Sequence, residues 1–362
     1  MNQRRNSNLL TFLTTFLATF FGSVLIYQLC AEAAMQDKGS NEKLLTAIRD
    51  ADAQTARALL SLVPGGADAN ARDEDGLTAL MYAAMYAGAD CVELLLAQGA
   101  DPNAKSKSDV TALMLAIGQA DKVRLLLAKG AEVNAESKQG HTALTIAAAR
   151  AGSAEVVKAL LDNGADLTVA NALGAAAKSG DISVAQLLLE RGADPNDRNN
   201  VGGPPPMSAK RASERPKSGG TPFMPPLLGA PGNTGATPLM YAALAGNTEV
   251  IKLLLGKGAD VNARDNGAGA ALILASAMGD PATVKLLLEK GAEVNVRNEL
   301  GYTALMCATA AETNDPELIK ALLARRAEID VKAKDGETAL KLAGRKGNTE
   351  IVRLLKKAGA KE

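Results

Sequence analysis

The chain has 362 residues, with 40 Lys+Arg against 40 Asp+Glu and one His, so its net charge is zero and the broad positive potential of a nucleic-acid binder is missing. Hydrophobic residues reach 47% but aromatics only 3%, a composition suited to many thin cores of small residues rather than one large core. Three Cys and one His are too few for a disulfide framework or a Zn site, which takes about four such ligands.

At the N-terminus, Arg4 and Arg5 precede an uncharged stretch from Asn6 to Ala31 that holds four of the five Phe. A basic start followed by a charge-free apolar segment predicts export. Ala31-Glu32-Ala33 supplies small residues for cleavage before Ala34, whereas Leu9 to Leu29 is 21 residues, long enough to cross a bilayer uncleaved. Residues 1–33 therefore read either as a signal peptide or as a single membrane anchor. In both cases Arg4 and Arg5 stay inside and the remainder is extracytoplasmic, in the periplasm of a cell with two membranes. Membrane contact is expected only through residues 9–29, and only if they are retained.

Beyond this segment one pattern recurs. Thr78-Ala79-Leu80-Met81, Thr111-Ala112-Leu113-Met114, Thr142-Ala143-Leu144, Thr237-Pro238-Leu239-Met240, Thr303-Ala304-Leu305-Met306 and Thr338-Ala339-Leu340 mark successive starts, with a weaker copy at Ala270-Ala271-Leu272. About 20 residues after each start comes a second signature, as in Leu94-Leu95-Leu96-Ala97-Gln98-Gly99-Ala100-Asp101-Pro102-Asn103. Thr is a good helix N-cap, and Pro suits the first helical position. Ala83 and Ala84 let neighbouring helices approach closely. Gly88, or Gly246 in a later copy, is expected to end the first helix, and Gly99 the second. Asp73-Glu74-Asp75-Gly76 predicts a tight turn into the next unit. Each unit is helix–turn–helix plus hairpin, too small to fold alone, so stacking must supply the core. Leu254, within Leu253-Leu254-Leu255, should face that seam.

These residues resemble the ankyrin-repeat family over about 41–198 and 233–362. The resemblance implies an all-α repeat solenoid of stacked helix-turn-helix units with short β-hairpin fingers. It also implies a protein partner, bound through hairpin tips and the concave helix face. One departure is uniform: Met81, Met114, Met240 and Met306 stand where the family has His, so these hairpins should lean more on packing. Transferring the family's variable positions gives Glu74, Asp75, Leu77, Met85, Tyr86, Lys138, Gln139, His141, Arg150, Glu299, Leu300 and Tyr302 as partner-binding candidates, with Tyr86 and Tyr302 as exposed anchors.

Residues 34–198 then hold an N-terminal cap, three regular units and one degenerate unit, and residues 233–362 hold three units and a C-terminal cap. Between them, 199–232 carries eight of the fourteen Pro and the bases Lys210, Arg211, Arg215 and Lys217, and reads as an extended loop grown from a hairpin. The unit before it, 169–198, is short, which predicts a weak joint around 169–232.

No catalytic, cofactor or metal site is expected. Gly256-Lys257-Gly258 reads as a helix cap rather than a phosphate loop, Gly267-Ala268-Gly269 as a hairpin, and Cys91 and Cys307 as small core hydrophobes. One His leaves no room for most catalytic triads. The expected function is a non-catalytic interaction scaffold in the cell envelope. The alternative is an accessory or inhibitor of an envelope enzyme that acts through 199–232.

Overall fold

The computed structural model describes residues 39–50, 56, 67–167, 172–198, 235–267, 269–313 and 315–361. The segments read as a signal or anchor (1–33) and as an insertion (199–232) lie outside the described residues. No helix among the described residues is long and apolar enough to cross a membrane.

The helices start where the repeated Thr residues say they should. In six copies the Thr side chain accepts a hydrogen bond from the backbone N–H three residues on, from Met81, Met114, Thr145, Met240, Met306 and Lys341. The Thr78 N–H in turn reaches Met81 Sδ at 3.4 Å, so this buried Met closes a capping box with its sulfur. Pro238, Pro281 and Pro316 open helices at the first turn, where a missing N–H costs nothing. One boundary differs from expectation. Helix Ala79–Tyr86 ends at an extended Ala87, and Gly88 (φ −73) is the N-cap of the next helix instead. Gly246 (φ 73) does end its helix in the left-handed region.

The described residues fall into two compact units, those up to 116 together with 124–132, and 117–123 together with those from 133 on. In the first, helix Ala79–Tyr86 packs on its own second helix, Ala89–Ala97, and on the first helix of the next repeat, Ala112–Leu115. In the second, first helices form one row, Ala143–Ala148, Ala172–Ser179, Pro238–Ala245, Ala271–Met278, Ala304–Ala310 and Ala339–Arg345. Their partners, from Ala154–Asp162 to Thr349–Lys357, form a second row behind them. This is an all-α repeat solenoid. Ala residues line the first row (Ala147, Ala176, Ala242, Ala275), and one Leu per second helix fills the seam (Leu160, Leu188, Leu254, Leu287, Leu322), all fully buried. Each such Leu contributes ~1.5–3 kcal/mol of burial.

The hairpin fingers are hydrogen-bonded turns rather than ladders. Among the described residues the only bridges are the isolated pairs Arg72–Thr78 and Arg297–Thr303, because each arm runs almost at once into a Thr cap. Successive tips are tied by single backbone bonds, Glu299 N–H to Gly267 O and Lys334 N–H to Leu300 O, both 2.9 Å.

A second tie runs along the opposite edge of the repeats. Asn262 donates its side-chain amide to Gly291 O (3.2 Å) and accepts from Glu293 N–H (2.8 Å). Asn295 repeats this with Arg326 O and Glu328 N–H, and Asn70 does the same in the first unit with Gly99 O and Asp101 N–H. Asn196 makes the matching pair with Gly258 O (2.9 Å) and Asp260 N–H (2.7 Å), although its partners lie 62 and 64 residues away instead of 29 and 31. Asn247 adds a bond to Ala177 O at 2.8 Å. The unit ending at 198 and the unit beginning at 235 thus stack directly on each other with the usual geometry across the joint expected to be weak.

Candidate protein-binding surface

The candidate surface is built from hairpins and the exposed ends of first helices. In the first unit, Asp73 holds its turn: Oδ1 accepts from the N–H of Asp75 (2.9 Å) and of Leu77 (2.7 Å), and Gly76 takes the left-handed φ of 77 that the turn needs. Glu74 and Asp75 are thereby left exposed at the tip, while Leu77 and Met85 are half-buried. The second oxygen of Asp73 accepts a hydrogen bond from the Tyr82 hydroxyl at 2.8 Å. Burial first, and then this carboxylate, push the Tyr82 phenol above its ordinary pKa. One turn further along the same helix face, Tyr86 is 54% exposed, its ring 6.3 Å from that of Tyr82 and tilted by 31°.

In the second unit, Ser137 organises a similar turn, accepting the His141 N–H on Oγ at 3.1 Å. Lys138 and Gln139 stand exposed at the tip, His141 is half-buried, and Arg150 is exposed beyond the next helix. At the third hairpin Asn298 Oδ1 accepts from Leu300 N–H (3.1 Å) and Tyr302 N–H (2.9 Å), and Glu299 and Leu300 face solvent.

Tyr302 differs from its expected placement. It is 2% exposed, and its hydroxyl donates to Asp335 Oδ2 of the following hairpin at 2.7 Å. Leu77, Val110 and His141, which also directly precede a Thr cap, are likewise partly covered. Tyr302 is a tie between repeats, not a surface anchor. Tyr82 was not among the sequence candidates, although the four-residue step from Tyr82 to Tyr86 places both on one helix face.

No group of three or more His, Cys, Asp or Glu converges as a metal site among the described residues. Cys91 and Cys307 are buried thiols, and burial pushes Cys307 up to about 12, where it remains protonated and unreactive. A groove of about 560 Å³ at the bases of the repeats is lined by Arg264, Glu293 and Arg297, but these are tied into ion pairs, Arg264–Glu293 at 3.0 Å and Arg297–Glu328 at 2.8 Å.

The family profile described as ankyrin repeats (3 copies) matches residues 16–106, 44–137, 90–171, 133–199 and 272–362. The single ankyrin repeat profile matches residues 234–266. The matches cover most of the chain, and it belongs to the ankyrin-repeat family. Such repeats form protein–protein interaction scaffolds, generally without catalysis. No curated protein matches the chain.

Proposed function

We propose that the protein is an exported scaffold that holds a protein partner in the cell envelope through the hairpin tips and exposed helix face of its first unit. The observation that carries this reading is the 54% exposed Tyr86 beside Tyr82 on a helix whose other side is wholly buried. A large rigid ring left in solvent costs little to desolvate and gains much on docking, so Tyr often anchors interfaces. Arg4, Arg5 and the 21-residue apolar stretch after them support export.

Crosslinking pull-down from envelope extract with the wild type, Tyr86→Ala and a 199–232 deletion tests the binding surface. Capture should persist in the deletion and fall with Tyr86→Ala. Loss in the deletion alone would move the site to the insertion. A reporter active only outside the cytoplasm, fused after residue 40, tests export; a stable but silent fusion would end that part of the reading.

A further inference from the structure

The neutrality of the whole chain hides a local charge bias. Residues 67–116 carry eight Asp/Glu and three Lys/Arg, while residues 331–361 carry three Asp/Glu and nine Lys/Arg. Solubility requires charge but not one sign, and gathering like charges costs repulsion, so a one-sided surface calls for a counter-charge from elsewhere.

In the first unit the negative charge meets the exposed aromatic face. Asp73 holds the Tyr82 hydroxyl, Glu74 and Asp75 continue from it along the exposed tip, and Asp90 is exposed four residues beyond Tyr86. The neighbouring bases are Arg72, whose guanidinium is turned to Lys105 O at 3.1 Å, Arg49, whose charge acts on Tyr82, and Lys107, whose backbone N–H donates to Asp75 O at 2.9 Å.

We propose that the face formed by Tyr82, Tyr86 and the hairpin Asp73–Asp75 docks an arginine-bearing basic segment of the partner protein. This rests on the scaffold reading above and adds the chemistry of the partner. A guanidinium is planar and weakly hydrated. Along such a segment one guanidinium can stack on the Tyr86 ring while another donates its N–H fork to a tip carboxylate, contacts that ammonium groups make less well. An aliphatic partner would strip water from these carboxylates without neutralising them, and an acidic one would be repelled.

The full chain titrated with synthetic hexa-arginine, hexa-lysine and hexa-glutamate, by calorimetry at near-physiological salt, tests this. Hexa-arginine should bind several-fold more tightly than hexa-lysine, and hexa-glutamate not at all. Tyr86→Ala should weaken hexa-arginine about tenfold. Glu74→Gln with Asp75→Asn should weaken it by a similar factor and flatten its salt dependence. Thermal melts of all variants should match the wild type, since the altered side chains are exposed. No hexa-arginine binding, or binding indifferent to Tyr86→Ala, overturns the proposal; if pull-down capture still depends on Tyr86, the scaffold reading survives that failure. Dimerisation of the free chain that Tyr86→Ala abolishes, seen by sedimentation, would give the face to a second copy and also overturn it.

Discussion

Asn196 carries the register across the longest interruption in the repeats, so its removal tests the stacking directly. Asn196→Ala deletes two hydrogen bonds, to Gly258 O and from Asp260 N–H. Each is worth about 0.5–1.5 kcal/mol net, and water reaches these exposed loops, so the expected loss is about 1–2 kcal/mol. Asn262→Ala, with the matching bonds to Gly291 and Glu293, should cost the same. The complementary change removes chain. Eight residues separate Asn70 from Thr78, Asn134 from Thr142 and Asn295 from Thr303, whereas Asn196 and Thr237 are 41 apart. Excising 200–232 restores the spacing of eight, and shortening the closed loop that far should stabilise the folded state by about 1.5 kcal/mol of closure entropy. Urea unfolding followed by circular dichroism reads both changes as shifts in midpoint. A neutral Asn196→Ala beside a costly Asn262→Ala would refute direct stacking, as would an excision variant that fails to fold.

Three further outcomes are expected. Tyr302→Phe removes the bond to Asp335 and should cost about 1 kcal/mol at pH 7. The Tyr302 phenol is held above its ordinary 10.0, by burial first and then by Asp335, so it contributes stability below pH 10 that is lost as pH rises through the raised value. Asp335 is held low, chiefly by the Tyr302 hydrogen bond, so its contribution is present above the ordinary carboxylate range and lost as pH falls through the depressed value. Midpoints measured across pH should therefore fall less steeply at both extremes in the Phe variant; unchanged slopes would break the assignment. Ser276 Oγ is buried without a hydrogen-bond partner, so Ser276→Ala should raise the melting midpoint, by the equivalent of about 1 kcal/mol, and a lower midpoint would reveal a partner for the hydroxyl. Gly301 has φ 84 and a Cβ there would sit 3.2 Å from Ala333 Cα, so Gly301→Ala should cost more than ~1 kcal/mol, while Gly256→Ala, with open space in a helical turn, should gain about 0.5. Equal effects in the two Gly variants would mean that backbone conformation is not what separates them.

The repeat was legible because its determinants are local and recur. Thr at an N-cap, Gly in a left-handed turn and Leu at helical spacing each act within one unit, and copies in phase reinforce one another. The Asn ties were in plain view, since Asn103 and Asn262 close the second signature of their repeats, but their function was not. Each Asn acts on a neighbouring repeat, and one unit read alone shows a side chain with nothing to bond. The direct stacking across 198–235 was illegible for the same reason. A short unit followed by a Pro-rich stretch looks weak along the chain, yet the interface consists of Asn196, Asn247 and helix faces that meet across the gap.

The candidate surface divides along the same line. Leu77, Val110, His141 and Tyr302 precede a Thr cap, and that register is mostly apolar, which is itself the mark of a covered position. Treating it as variable, and therefore exposed, put Tyr302 in the wrong place. Tyr86 sits at the end of a first helix, where no following hairpin reaches it, and remains 54% exposed. Two tyrosines thus have opposite roles set by register alone. The hydroxyl of Tyr302 is spent on Asp335 inside the stack, while Tyr82 uses Asp73 of its own hairpin and leaves the ring of Tyr86 facing solvent beside carboxylates. What the stacking leaves over in the first unit is one aromatic face beside an excess of negative charge, and the proposed docking uses that remainder.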